Sequence, residues 1–160
     1  MIPRRALLAM FFALCLSVNS HATVTQLRGV TGISAGIDFS CALTQVGDVY
    51  CWGKNDAGQL GVATPALTND GGYHTALNPV KVSGLTGAIS ITSGWGHSCA
   101  MRNDGSVWCW GSNNAGQAGH SSFLDQVVPV RVPGLPTVAS IHARGSATCA
   151  VTVAGELWCW

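Results

Sequence analysis

Three times the chain writes a cysteine, nine further residues, then Cys-Trp: Cys41 to Cys51-Trp52, Cys99 to Cys109-Trp110, and Cys149 to Cys159-Trp160. The surrounding sequence repeats with them. One unit runs from Ile33 through Cys51-Trp52-Gly53 to Asn55-Asp-Ala-Gly58-Gln59-Leu-Gly61. The next runs from Ile91 through Cys109-Trp110-Gly111 to Asn113-Asn-Ala-Gly116-Gln117-Ala-Gly119, and a third begins at Ile141. Short units of this kind bury their apolar faces only against one another, so the fold is confined to tandem arrays such as propellers and solenoids. Pro79-Val-Lys-Val-Ser-Gly84 and Pro129-Val-Arg-Val-Pro-Gly134 link the units. The segment between Gly61 and Pro79 is eight residues longer than its counterpart between Gly119 and Pro129.

Within each unit the pattern is of short strands between glycine-rich turns, with no helical periodicity after the first residues. Asn103-Asp104-Gly105 predicts a three-residue hairpin loop closed by Arg102 and Ser106, with Gly105 in the left-handed region. That loop sets Cys99 directly opposite Cys109, at a non-hydrogen-bonded site where α-carbons lie about 4.5 Å apart. Gln45-Val46-Gly47 and Val153-Ala154-Gly155 give Cys41/Cys51 and Cys149/Cys159 the same register. Each pair is expected to be a cross-strand disulfide stabilising its hairpin by roughly 2–3 kcal/mol on the chain-entropy model.

The run from His97-Ser-Cys-Ala through Asp104-Gly-Ser-Val-Trp-Cys-Trp-Gly111 to Asn113-Asn-Ala-Gly-Gln-Ala-Gly119, with Pro129-Val-Arg-Val, resembles a regulator of chromosome condensation repeat. Asn55-Asp-Ala-Gly-Gln-Leu-Gly61 resembles it more closely still. The resemblance covers nearly all of residues 30–160 and implies an all-β fold, a β-propeller of four-stranded blades, typically seven. Repeats starting near 33, 91 and 141 amount to about two and a half blades, so an incomplete propeller, a fragment of a longer array, is expected. The third unit departs from the pattern: Arg144 replaces Gly36 and Gly94, and Ala147 stands where His97 does. The cysteines are a further departure and suit an oxidising compartment.

The N-terminus agrees with that compartment. Arg4 and Arg5, the apolar run Ala6–Val18 and Ser20-His21-Ala22 read as a signal peptide over residues 1–22, cleaved after Ala22. The apolar run is shorter than the ~20 residues of a transmembrane helix. Cleavage removes the odd cysteine, Cys15, and leaves six basic residues (eight less Arg4 and Arg5) against seven acidic. Residues 23–160 are thus expected to be an extracytoplasmic partial propeller, secreted or periplasmic, with six paired cysteines. A nearly neutral surface carries no footprint for nucleic acid and no basic amphipathic segment for membranes.

Chemistry-bearing constellations are sparse. One cysteine pair per unit, with a histidine at the position of His97 in only one unit, is too few ligands for tetrahedral zinc, and there is no Cys-x-x-Cys. Gly58-Gln59-Leu60-Gly61 lacks the lysine and helix of a phosphate loop. Asn69-Asp70-Gly71 is too short for a calcium loop. No carboxylate pair or serine nucleophile motif occurs, so no catalytic residue, metal or cofactor is assigned and the chain is not read as an enzyme. Trp52, Trp110 and Trp160 recur in register, which favours packing between blades over exposed platforms for sugars.

Trp95 occurs once, between Gly94 and Gly96, and either contacts a partner or folds onto its own blade. The inter-repeat loop at 62–78 carries the insertion, with Asn69, Asp70, Tyr73 and His74 as candidate contacts if it is more than a solvated excursion. The expected role is an exported, non-catalytic scaffold for an unidentified protein or cell-surface partner. Family analogy offers guanine-nucleotide exchange as an alternative. Secreted enzyme inhibitors built as propellers of shorter repeats offer another.

Overall fold

In the computed structural model, which describes residues 26–62, 68–70 and 73–160, the repeats form three antiparallel sheets stacked as consecutive blades. The first comprises β1 (Val30–Ala35), β2 (Phe39–Thr44), β3 (Val49–Lys54), β4 (Thr68–Asp70) and β5 (Tyr73–Lys81), in the order β1-β2-β3-β5-β4. The second is β6 (Ala88–Ser93), β7 (His97–Arg102), β8 (Val107–Gly111) and β9 (Gln126–Arg131) in sequence order. The third is β10 (Val138–Arg144), β11 (Ala147–Thr152) and β12 (Leu157–Cys159). Residues 1–22, expected to be a signal peptide, lie outside the described residues.

The central hairpins follow the turn chemistry. Arg102 donates its N–H to Ser106 O at 2.9 Å, and Gly105 sits at φ 74°. Cys41 faces Cys51, Cys99 faces Cys109, and Cys149 faces Cys159. Their α-carbons are 4.1 Å apart and their sulfurs 2.14, 2.10 and 2.18 Å apart, so all three pairs are at disulfide distance. Each fourth strand carries a bulge. Leu77 to Pro79 lie opposite the single Trp52, and Val127, Val128 and Pro129 lie opposite Trp110. Proline is tolerated at such a point because no ladder N–H is needed there.

The segment 62–78 departs from the loop reading. It contains β4 and most of β5, which pair as Thr68 with Thr75, Asn69 with His74 and Asp70 with Tyr73. The physical reason is that β5 starts earlier than its counterpart β9, and its free edge is paired by β4. The first blade therefore has five strands rather than four.

Two cores lie between the blades. Phe39, Leu43, Val49 and the Cys41–Cys51 pair meet Leu60, Ala88, Ala100 and Trp110 at the first junction. Met101, Val107 and the Cys99–Cys109 pair meet Ala118, Val138, Ile141 and Ala150 at the second, with Trp160 packed on its edge. One polar device is common to both. Trp110 Nε1 donates to Gln59 O at 2.9 Å, and Ser98 Oγ donates to the same carbonyl at 3.4 Å. Trp160 Nε1 and Thr148 Oγ1 donate to Gln117 O at 3.1 and 3.0 Å. One backbone carbonyl of each of the first two blades is thus satisfied on both lone pairs by the next. Trp110 is fully buried and Trp160 half-buried in these contacts. Trp52 holds the same place on β3 and is half-buried, with no blade before it among the described residues.

Candidate functional site

The turn between the first two strands of each blade reaches the same face of the stack. These turns hydrogen-bond in series: Ile37 N–H donates to Trp95 O at 3.1 Å, and Trp95 N–H donates to Gly145 O at 2.8 Å. The backbone of Trp95 is therefore tied to both neighbouring blades. Its side chain is nevertheless 61% exposed. A Cβ added at Gly145 would lie 3.9 Å from Trp95 Cε2, so the indole lies beside the turn of the third blade.

Alongside this ladder runs a groove of about 320 Å³, lined by Asp38, Lys54, Asp56, Trp95, Asn114 and Gln117 among others. Asp38 adopts φ 63°, a left-handed conformation that aspartate tolerates better than most residues. The far wall is the loop Asn113 to Gly119. Asn113 Oδ1 accepts from Ala118 N at 3.0 Å, and Gln117 Oε1 accepts from Ala115 N at 2.8 Å. Asn55 and Gln59 make the matching bonds to Leu60 N and Ala57 N, at 2.8 and 2.9 Å. The repeated Asn-x-x-Gly-Gln sequence is therefore a self-bonded loop, as its lack of a phosphate-binding lysine suggested. Lys54 Nζ lies 3.3 Å from Asp56 Oδ2.

The inserted hairpin meets the same face. Asn55 N–H donates to His74 O at 2.7 Å, and His74 N–H donates to Asp56 Oδ1 at 3.0 Å. Trp95 and the β4–β5 hairpin, singled out from separate stretches of sequence, are thus brought to one side of the stack. His74 is exposed, and the backbones of Asn69, Asp70 and Tyr73 form the outer part of the hairpin. Asp38, Lys54, Asp56 and Asn114 were missed, because the groove they line is assembled from more than one blade. His97 is fully buried at the second junction with Nε2 2.7 Å from Thr148 Oγ1.

Comparison with known proteins bears on the whole array. Models of the regulator of chromosome condensation (RCC1) repeat match residues 30–59 and 88–117 in one form, and 46–101 and 104–151 in another. The chain belongs to the RCC1 repeat family. Among its relatives in that family, human E3 ubiquitin-protein ligase HERC2 is 39% identical over 93 residues, 57% of this chain and 2% of HERC2. Protein pim1 of Schizosaccharomyces pombe is 32% identical over 103 residues, 59% of this chain and 19% of pim1. Two solved structures share the fold. Human WBSCR16 has a TM-score of 0.71 at 22% identity over 84% of this chain and 34% of its own. Saccharomyces cerevisiae Prp20p has 0.66 at 23% identity over 72% and 29%. The architecture is accordingly an RCC1-type β-propeller, of which this chain spans part.

Proposed function

We propose that this chain is an exported, non-catalytic propeller scaffold that binds a protein or a cell surface through the face carrying Trp95 and the β4–β5 hairpin. One observation carries the reading: a large aromatic is held out to solvent on a backbone bonded to both neighbouring blades. A rigid exposed tryptophan beside a polar rim is a common form of interface anchor. The insertion supports it, since individual loops on a rigid scaffold carry recognition. Three cysteine pairs at disulfide distance support the oxidising compartment.

The test applies labelled protein to cells of the producing organism and to their extracellular fraction. Trp95→Ala and deletion of residues 64–74 are each expected to lower binding about tenfold or more, as loss of an interface anchor does. Unchanged binding in both variants overturns the reading. Guanine-nucleotide exchange is the second reading, favoured by likeness to Prp20p, which is reported to bind Gsp1p and histones. Acceleration of nucleotide release from a small GTPase by the purified chain would put exchange in place of the scaffold.

A further inference from the structure

We propose that the Trp95 groove is a saccharide subsite in which the exposed indole is the platform for one sugar ring. This rests on the reading of that face as the binding face and names its ligand chemistry. The negative face of an indole attracts the weakly positive C–H groups that a pyranose presents on its flat side. Such stacking needs a ring that is exposed yet fixed. Trp95 is exposed, its backbone is held on both sides by the bonds to Gly145 O and Ile37 N, and its indole lies beside Gly145.

The groove beside the ring holds what sugar hydroxyls require. Asp38 offers carboxylate acceptors. Gln117 Nε2 donates to Ser112 Oγ at 3.1 Å and to Asn114 Oδ1 at 3.2 Å, so the amide wall is held in place by its own bonds. Asn114 still has its amide N–H groups to donate. Orienting a neutral polyol by a few fixed polar groups in about 300 Å³ is within the range of small-molecule sites.

Charge separates this ligand from others that stack. A nucleotide phosphate needs cations, and the lining cation, Lys54, lies 3.3 Å from Asp56 with Asp38 also on the groove. An apolar peptide side chain would leave these polar groups unpaired. A neutral saccharide conflicts with none of this.

The test titrates the full chain with cellotetraose, maltotetraose and chitotetraose, followed by tryptophan fluorescence and saturation-transfer NMR. At least one is expected to bind saturably. Trp95→Ala should weaken that binding about tenfold or more, the cost of losing one stacked ring, while Trp95→Tyr keeps most of it. Asp38→Asn should weaken it with stacking intact. An unchanged thermal midpoint of Trp95→Ala shows that the fold is kept. No binding by any of the three, or equal binding by Trp95→Ala, overturns the subsite. If cell binding still depends on Trp95 in that case, the subsite alone fails and the binding face stands.

Discussion

His97 occupies the place that Phe39 takes in the first blade, and the exchange shows how one side chain is read by its neighbours. A Cβ at Gly36 would lie 1.9 Å from Phe39 Cε1, and one at Gly94 would lie 2.3 Å from His97 Cε1. Each ring leans over its glycine. In the third blade Ala147 removes the ring, and Arg144 replaces the glycine without that conflict. The two departures visible in the sequence thus fall on one ring–glycine contact, legible only once the turn is folded, although Gly36 and Gly94 also face the next turn's carbonyl.

His97 also carries a pH signature. Thr148 Oγ1 gives its one proton to Gln117 O, so His97 donates from Nε2, and its buried Nδ1 has no partner. Burial pushes the His97 pKa down to about 4, from 6.5. The unfolded chain then binds more protons between these values, so stability is greatest above pH 6.5 and falls as the pH drops towards 4. The full loss is roughly 3 kcal/mol at ~1.36 kcal/mol per pH unit. Denaturant unfolding at pH 7.5, 5.5 and 4.5 should show this fall, reduced in His97→Phe, which copies the first blade. An equal fall in both proteins would remove His97 as its source.

At the scale of the element, the hairpins were the most legible part of the chain. Loop length and a glycine at φ 74° fix the register, and register fixes which cysteines meet. The β4–β5 hairpin was not legible, because Thr68-Asn69-Asp70 has little strand propensity and owes its pairing to the extended edge of β5. Environment separates the three cysteine pairs although their geometry is shared. Cys41, Cys51, Cys99 and Cys109 are fully buried in the two junctions, whereas Cys149 is half-buried and Cys159 exposed. Brief reduction of the native chain by a phosphine, then alkylation and peptide mapping, should label Cys149 and Cys159 first. Uniform labelling of all six would contradict the junctions as drawn.

Across the whole molecule the junction chemistry is periodic. Ile91 and Ile141 pack into the two cores, while their counterpart Ile33 is 79% exposed on the outer side of the first blade. Val49 and Val107 are buried, and their counterpart Leu157 is 70% exposed on the third. The repeat made this stacking readable, since the units repeat apolar residues at most of the same inward positions. The candidate site was half readable. Trp95 stood out as an aromatic found in one unit only. Its polar neighbours come from all three blades, and no local pattern joins Asp38 to Asn114. We read the chain as an exported repeat array in which a cysteine pair closes each of the three described blades. Intact mass spectrometry of the exported protein, denatured and alkylated without reductant, tests it most directly. The expected species begins at Thr23 and carries no alkyl group; a species with six alkylated cysteines would contradict the claim.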